Sequence, residues 1–280
     1  MKKFFWILPL LFCFTAYADQ AALDAALRDT YINCVGINDE LSELKTRAGI
    51  NTAVTGVGTA AGAGALVVGL MRSNELFPKL KEMNVDKSKK MQPVSGAPQP
   101  GWTPNLKSGG KSKSKTLGNW RTGLLAANTA TNIAGAIIAG NNRGSDNLHD
   151  SVEKCQAAVK TLNDAIIAAR VEDVDVSEAV QIYNACGDFV SVDMSKISDR
   201  ATGAMVSSIV GAGVGATGTV VSAVANTDEN MNNEKLDTAS NILAGGATIA
   251  SGAATIFNAT QIAAIRKVAD VAQKCEDALK

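Results

Sequence analysis

Uncharged stretches rich in small and apolar residues alternate with charged, amphipathic stretches along this chain. The stretches without a charged side chain are 48–71, 122–142, 201–227 and 238–265. Each has at least 21 residues, enough for an α-helix to cross a hydrocarbon core of about 30 Å. Their hydrophobicity is moderate, because Gly, Ala, Thr and Asn dilute the Val, Ile and Leu. The pattern predicts four Gly/Ala-rich helices, suited to a bilayer or to a closely packed soluble bundle.

The charged stretches have the periodicity of amphipathic helices, with apolar residues every three or four positions. A cysteine lies on the apolar stripe of each one, where it is expected to face a neighbouring helix. The three stripes are Leu23, Leu27, Tyr31 and Cys34; Leu148, Val152, Cys155, Val159 and Leu162; and Ile262, Ile265, Ala269, Ala272, Cys275 and Leu279.

An internal repeat combines these two kinds of stretch. At an offset of 153 residues, Arg47-Ala48 aligns with Arg200-Ala201, and a Gly-Ala pair at 62 aligns with another at 215. Each copy has a cysteine near its start and another near its end, with two small-residue segments and a loop between them. Repetition of this kind indicates a duplicated supersecondary unit. We therefore expect an all-α fold of two tandem helical hairpins, 19–170 and 171–280, with a four-helix bundle as one possible arrangement.

Residues 1–18 have the pattern of a secretory signal peptide. Lys2 and Lys3 form a basic start, 4–14 is an apolar core too short to span a bilayer, and Ala16-Tyr17-Ala18 resembles a cleavage site. Such a signal predicts export. We expect the protein in a bacterial cell envelope, in the inner membrane with its cysteine-bearing helices in the periplasm; a periplasmic or secreted location is the alternative.

Four cysteines follow the predicted signal peptide, and an even number in an exported chain indicates two disulfides with three possible connectivities. The two arms of each hairpin have nearly equal lengths. An antiparallel arrangement therefore brings Cys34 level with Cys155, and Cys186 level with Cys275. We predict the disulfides Cys34–Cys155 and Cys186–Cys275, each at the base of one hairpin.

Small residues recur every four positions in the uncharged stretches, which allows two helices to approach closely. The pattern resembles the glycine-zipper segments of several bacterial envelope proteins; the resemblance is one of motif type and covers only these segments. It implies close helix–helix packing and a possible surface for homo-oligomers. The predicted packing positions are Gly58, Gly62, Gly135, Gly211, Gly215 and Gly252.

The stretch 213–218 matches G-x-G-x-x-G, the phosphate-binding fingerprint of dinucleotide-binding folds. That fold needs a strand before the glycines and a second buried strand that ends in an acid about 20 residues later. The segment before Asp237 is too polar for a buried strand, and the first repeat has Ala60 and Ala65 where the second has Gly213 and Gly218. We therefore interpret these glycines as part of a helix-packing face.

Catalytic, cofactor and metal sites are not predicted. The formal net charge is zero, with 27 basic and 27 acidic residues, so no overall field favours nucleic acid. His149 is the only histidine and no C-x-x-C occurs. The acidic run 171–178 is interpreted as a linker that caps the next helix at Ser177, with calcium binding as the alternative. We expect neither a small-molecule substrate nor enzymatic activity.

Polar residues within the uncharged stretches have two interpretations. Asparagines there can hydrogen-bond between helices, or they mark places where the helices are less hydrophobic. Trp120-Arg121, just before the second stretch, is interpreted as an interfacial anchor. The asparagines are Asn51, Asn128, Asn132, Asn241 and Asn258.

The loop of the first hairpin, 73–120, is rich in Lys, Ser, Gly and Pro and is predicted to be disordered. If four helices span a membrane, this loop lies opposite all four cysteines, and its lysines agree with the positive-inside tendency. The short acidic loop of the second hairpin does not support that orientation.

These observations favour a non-enzymatic cell-envelope protein, embedded in the lipid bilayer through four glycine-zipper-like helices, with a structural or interaction role. Two alternatives stay open. One is a secreted, membrane-active protein that inserts its hairpins into a target bilayer, in the manner of pore-forming toxins. The other is a permanently soluble periplasmic helical bundle.

Overall fold

The computed structural model describes residues 8–76, 111–143 and 146–280, with side chains for 20–76, 112–143 and 147–280. Within these ranges the chain is all-α and has no β-strand, which confirms the predicted fold class. The elements are α1 (Leu8–Cys34), α2 (Ile37–Leu76), α3 (Lys111–Asn141), α4 (Asp146–Val171), α5 (Ser177–Cys186), a 3₁₀ helix (Gly187–Ser191), α6 (Ser195–Ala225) and α7 (Glu234–Leu279).

Each of the four longest of these helices includes all or nearly all of one uncharged stretch. Helix α2 has 40 residues, α3 and α6 have 31 each, and α7 has 46, so they are about 45 to 70 Å long at 1.5 Å per residue. An interior glycine costs a helix about 1 kcal/mol relative to alanine, so helices this rich in glycine depend on packing. Among the described residues, four helical segments are long and apolar enough, by length and composition alone, to cross a membrane: Gln20–Leu76, Ser112–Asn141, Ser177–Ala225 and Glu234–Leu279.

A glycine separates α1 from α2. Gly36 has a φ of 93°, in the left-handed region that a residue without Cβ adopts at little cost. Just before it, the backbone N–H of Val35 donates to the carbonyl oxygen of Tyr31 at 3.1 Å, which closes the last turn of α1. Asp39 and Glu40 then lie in the first turn of α2, where carboxylates interact favourably with the helix dipole.

The chain forms two compact units, and neither corresponds to one of the sequence repeats. One unit comprises the described parts of 1–52, 138–203 and 256–280; the other comprises those of 53–137 and 204–255. We call them the cysteine unit and the glycine-rich unit. Each takes residues from both repeats, because the amphipathic segments of both copies share one core and the small-residue segments of both copies share the other.

The cysteine unit has the interior of a water-soluble protein. Its buried side chains are mostly Leu, Ile, Val and Phe, and burial of each such side chain contributes about 1.5–3 kcal/mol. Helix α1 packs along α4, as the matching apolar stripes require. The largest fully buried apolar side chains of this unit are Phe189, Ile37, Leu41, Leu162, Ile197, Ile265, Val152 and Val159.

Both disulfides form as predicted, and both belong to the cysteine unit. Cys34 pairs with Cys155 at a Cα–Cα distance of 4.8 Å, and Cys186 pairs with Cys275 at 4.4 Å. All four cysteines are buried. The sulfurs of Cys34, Cys155 and Cys275 lie within 4.8 Å of one another, so the two disulfides are neighbours in one core. Since both pairs are oxidised, these sulfurs are not the thiolates that a metal ion requires.

Two predicted segments differ in extent from the helices observed. Residues 8–18 of the predicted signal peptide form the start of α1, and 1–7 lie outside the described residues. Helix α2 continues to Leu76 and α3 begins at Lys111, so both ends of the segment predicted as a disordered loop, 73–120, are helical. Contacts between side chains support these ends, including the ion pair between Lys113 Nζ and Glu75 Oε1 at 3.0 Å. Residues 77–110 lie outside the described part.

Candidate functional site in the glycine-rich unit

The glycines of the first repeat lie where side chains from other helices approach α2 closely. A Cβ added to Gly58 would stand 2.5 Å from Thr131 Oγ1 on α3. One added to Gly62 would stand 2.7 Å from Thr248 Oγ1 and 3.2 Å from the Thr248 Cα on α7. The hydroxyl groups of two other helices thus occupy the space that a larger residue on α2 would need.

The glycines of the second repeat make corresponding contacts from α6 to α3. A Cβ added to Gly211 would stand 2.7 Å from Asn132 Oδ1, and one added to Gly215 would stand 2.7 Å from Thr129 Oγ1. In both repeats, the space beside each glycine holds a polar side chain of the neighbouring helix. A glycine on one helix therefore packs directly against a polar side chain of the neighbouring helix.

The two remaining predicted packing glycines differ from these four. Gly135 is buried within α3. Beside Gly252 the nearest atom that an added Cβ would meet is Thr59 Cγ2 at 3.9 Å, an ordinary van der Waals distance. An alanine at position 252 is therefore compatible with its surroundings.

Two further close approaches of this kind lie outside the predicted set. A Cβ added to Gly69 would stand 2.0 Å from Asn241 Oδ1, and one added to Gly118 would stand 2.1 Å from Asn226 Oδ1. Neither glycine has another glycine four positions away. Each nevertheless has small residues at that spacing, Ala65 and Ser73 around Gly69 and Ser114 and Thr122 around Gly118, so the same pattern of small residues could have found both.

Hydrogen bonds between polar side chains cross the interior of the glycine-rich unit. Asn128 Nδ2 donates to the Gly58 carbonyl oxygen at 2.6 Å and to Ser251 Oγ at 2.9 Å. Asn132 Nδ2 donates to the same serine oxygen at 2.7 Å. The three side chains Asn128, Asn132 and Ser251 are fully buried, and together they join α2, α3 and α7.

The other asparagines singled out on the sequence also bond between helices. Asn51 Nδ2 donates to Asn258 Oδ1 at 2.9 Å, which joins α2 to α7 within the cysteine unit. In the glycine-rich unit, Asn241 Nδ2 donates to Ser73 Oγ at 2.9 Å. The hydrogen-bonding interpretation of these five asparagines is therefore confirmed.

Apart from polar groups, the interior of the glycine-rich unit contains little more than alanine. Leu125 and Met231 are the only large apolar side chains buried in its described part. The other buried apolar side chains there are Ala61, Ala65, Ala204, Ala225, Ala244, Ala247, Ala250 and Ala254.

Large apolar side chains of the glycine-rich unit lie instead on its outer surface. Twelve Val, Ile and Leu side chains are between 42% and 75% exposed, whereas proteins in water usually bury most such residues. Polarity in this unit is therefore inverted, with polar groups inside and aliphatic groups outside. The exposed set is Val57, Val67, Leu70, Ile133, Ile137, Val206, Ile209, Val210, Val220, Val224, Ile242 and Ile249.

A charged cluster is buried at the end of the glycine-rich unit where α2 and α6 finish. The side chains of Arg72 and Arg121 are 0% exposed, and that of Asp237 is 3% exposed. Arg121 Nη1 donates to Asp237 Oδ1 at 2.7 Å, and Arg72 Nη1 lies 3.5 Å from the same oxygen. Ser73 Oγ donates to the other carboxylate oxygen, Oδ2. The carboxylate of Asp237 thus forms ion pairs with the guanidinium groups of both Arg72 and Arg121.

The arginines also bind uncharged groups on neighbouring helices. Arg121 Nε donates to Ser222 Oγ at 2.9 Å, and its Nη1 donates to Asn241 Oδ1 at 3.2 Å. Arg72 Nη2 donates to the carbonyl oxygen of Ala225, the last residue of α6, at 2.8 Å. A cation at a helix C-terminus is stabilised by the helix dipole. Positions 72 and 225 are also 153 residues apart, the offset that relates the two repeats.

This cluster corrects the interpretation of Trp120-Arg121 as an interfacial anchor. Trp120 is 64% exposed, but Arg121 is fully buried and belongs to the ion cluster. Residues one position apart on a helix point about 100° apart, so an exposed neighbour does not imply an exposed arginine.

Other sequence candidates have ordinary structural roles. Gly213 and Gly218 lie inside α6, so the strand and turn required by a dinucleotide fingerprint are not formed there. His149 is exposed, and its Nε2 lies 3.3 Å from Glu153 Oε1. In the acidic run 171–178, the Ser177 hydroxyl and backbone N–H both donate to Asp175 Oδ1, at 2.6 and 2.9 Å. These hydrogen bonds lower the pKa of that carboxyl.

The arrangement is therefore a polar and charged interior enclosed by four glycine-rich helical segments with an aliphatic outer surface. Comparison of the chain with protein-family models, with curated proteins and with solved structures found no match.

Proposed function

We propose that this chain is a non-enzymatic protein of the bacterial cell envelope, embedded in a membrane through its glycine-rich unit, with a structural or interaction role. The observation that carries the proposal is the inverted polarity of that unit. In lipid, apolar burial does not drive helices together, so association relies on close packing of small residues and on hydrogen bonds between helices. The contacts at Gly58 and Gly62 and the hydrogen bonds of Asn128 and Asn132 are of those two kinds.

The outer surface supports the same proposal. Exposed aliphatic side chains occur on all four uncharged stretches, for example Val57 on α2, Ile137 on α3, Val220 on α6 and Ile249 on α7. A soluble monomer rarely exposes a contiguous apolar patch larger than a few hundred Å². Lipid chains can cover such a surface at no cost in hydrogen bonds, because each helix satisfies its own backbone groups.

The cysteine unit is suited to the aqueous phase beside that membrane. It has an apolar core and charged exposed residues, such as Arg47, Asp150 and Lys154. Disulfides persist in oxidising compartments and are rare in the cytosol. A periplasmic position for this unit agrees with both properties.

One substitution separates a lipid environment from water, and the chain contains a matched control. Ile249 is 75% exposed, near the middle of the uncharged stretch of α7, and Val171 is 80% exposed at the end of α4 in the cysteine unit. Arginine at the centre of a membrane helix costs about 2.5–3.5 kcal/mol, whereas an exposed site in water usually tolerates substitution within about 0.5 kcal/mol. We expect Ile249→Arg to reduce the membrane-inserted fraction and Val171→Arg to leave it unchanged.

The measurement is fractionation of expressing cells followed by carbonate extraction. We expect the mature wild-type protein and Val171→Arg in the carbonate-resistant membrane fraction. Recovery of wild-type protein as a soluble monomer or oligomer, with Ile249→Arg equally abundant there, contradicts the proposal. Leakage of liposomes caused by that soluble protein then favours the membrane-active alternative, and absence of leakage favours the permanently soluble bundle.

A further inference from the structure

The buried cluster of the glycine-rich unit has an excess of positive charge. Two guanidinium groups, of Arg72 and Arg121, face one carboxylate, that of Asp237. Arginine does not lose its proton in proteins, so the three groups together have a charge of +1. The nearby lysines do not change this balance, because each is paired with its own carboxylate: Lys113 with Glu75, and Lys115 with Asp228.

Several guanidinium donors in this cluster lack an acceptor. Among the described residues, Nε and Nη1 of Arg72 and Nη2 of Arg121 are buried and make no hydrogen bond. The 3.5 Å separation of Arg72 Nη1 from Asp237 Oδ1 is an ion-pair contact beyond normal hydrogen-bond length. A buried polar group without a partner costs about 1–3 kcal/mol, and more when it is charged.

The acceptors that the two arginines contact are already engaged, and although Asn226 Oδ1 and Glu75 Oε2 are buried without a hydrogen bond, neither of them accepts from an arginine. Asp237 Oδ1 accepts from Arg121, and Oδ2 accepts from Ser73. Ser222 Oγ and the Ala225 carbonyl each accept one guanidinium N–H. The described residues thus leave these three donors without an acceptor and the cluster with a charge of +1.

We propose that Arg72 and Arg121 together bind one small monovalent anion of the halide class, with chloride as the occupant. A charge of −1 cancels the excess, and a spherical anion accepts N–H donors from any direction. Both arginines are 0% exposed, so the ligand is enclosed and has to be small. A phosphate dianion would replace an excess of +1 by an excess of −1. This inference goes beyond the proposed function and holds in lipid or in water, because the protein itself shields the arginines.

The test uses the full mature chain with both disulfides intact, purified in detergent. Thermal unfolding is followed by circular dichroism in sodium chloride and in sodium gluconate of equal ionic strength. We expect chloride to raise the Tm with a saturating concentration dependence. Arg72→Gln leaves one arginine against one aspartate, so its Tm should be the same in the two salts. Lys115→Gln, at an exposed pair, is the matched control and should keep the chloride dependence of the wild type.

A second measurement, on the wild-type protein, tests the proposal even if Arg72→Gln does not fold. Crystals of the wild-type protein grown in bromide should give an anomalous peak within hydrogen-bonding reach of Arg72 Nε and Arg121 Nη2. Equal Tm values of the wild type in chloride and gluconate overturn the proposal. So does a chloride effect that survives in Arg72→Gln. Stabilisation by phosphatidylglycerol micelles but not by chloride also overturns it, and assigns the arginines to a lipid headgroup.

Discussion

At the residue scale, two glycines of the uncharged stretches have different roles in the structure. Gly62 is covered by α7, since an added Cβ would lie 3.2 Å from the Thr248 Cα, a backbone atom that cannot rotate away. Gly213 is exposed, and an added Cβ would meet nothing within 4 Å. The first glycine permits two helices to approach, and the second only weakens its helix.

Alanine substitutions at these two glycines should therefore have effects of opposite sign. Gly213→Ala should stabilise α6 by up to about 1 kcal/mol, the difference in helix propensity between the two residues. Gly62→Ala should destabilise the protein by about 1–3 kcal/mol, the usual cost of inserting a methyl group into a closely packed interior. Thermal unfolding of the purified variants in detergent, followed by circular dichroism, measures both.

The opposite ranking of the two variants would contradict this assignment of the glycines. If Gly213→Ala lowered the Tm more than Gly62→Ala, the G-x-G-x-x-G stretch would have a role that helix packing does not provide. Gly245→Ala is a further control, because an added Cβ there also meets nothing within 4 Å.

The buried arginines show what residue-level patterns on the sequence do not reveal. Arg72 and Arg121 each stand at an end of an uncharged stretch, where an exposed, snorkelling side chain is common. Their burial depends on Asp237, 165 and 116 positions away on the chain, and on Ser222. No local pattern distinguishes an arginine at a membrane interface from one that pairs with a distant carboxylate.

At the scale of elements, the helices and the disulfide pairing followed from the sequence, because both depend on regular spacing. Apolar stripes gave the seams of the amphipathic helices, and equal arm lengths placed Cys34 opposite Cys155 and Cys186 opposite Cys275. The start of α3 at Lys111 was not foreseen. The segment 111–120 is rich in Lys and Ser, and its helix depends on tertiary contacts such as that of Gly118 with Asn226.

The two disulfides should contribute similar amounts to stability. They close loops with sequence separations of 121 and 89 residues, and the entropy of loop closure changes only with the logarithm of length. We expect the double variants Cys34→Ser/Cys155→Ser and Cys186→Ser/Cys275→Ser each to lose about 2–5 kcal/mol of unfolding free energy. Denaturant unfolding under non-reducing conditions measures both losses.

A large difference in unfolding free energy between the two double variants would show that one disulfide stabilises the protein mainly through the native state, and not by restricting the unfolded chain. Reduced wild-type protein provides the reference, since it lacks both bonds but keeps every side chain. The unfolding free energy lost on reduction should equal the sum of the losses in the two double variants only if the two disulfides act independently. Contact between the disulfides, with three sulfurs within 4.8 Å, predicts a departure from additivity.

At the scale of the whole molecule, the net charge is zero, but the charged residues are unevenly distributed along the chain. In the glycine-rich unit, every charged residue falls within 72–121 or 228–237. Composition gave no sign of this, because the cysteine unit contributes charges of both signs. The uncharged stretches were visible on the sequence, and the four-residue spacing of small residues indicated inward positions such as Gly62 and Gly211, which are buried.

This distribution leads to a prediction about membrane topology. If the predicted signal peptide is cleaved and all four uncharged stretches span the membrane, the four cysteines and Lys280 lie in the periplasm and both hairpin loops lie in the cytoplasm. One epitope tag inserted near position 95 and another after Lys280 report on the two sides. Protease added to spheroplasts should remove the C-terminal tag and spare the tag in the loop, and both should be lost once the membrane is permeabilised.

The alternatives give different protease patterns. A soluble periplasmic bundle exposes both tags to the protease in intact spheroplasts or is released with the periplasmic fraction. An inverted topology exposes the loop tag and protects the C-terminal one. In that orientation the four cysteines would face a reducing cytoplasm, so the same samples should contain free thiols that react with maleimide. Protection of the loop tag together with unreactive cysteines is the result that the lysine-rich loop and the two disulfides jointly predict.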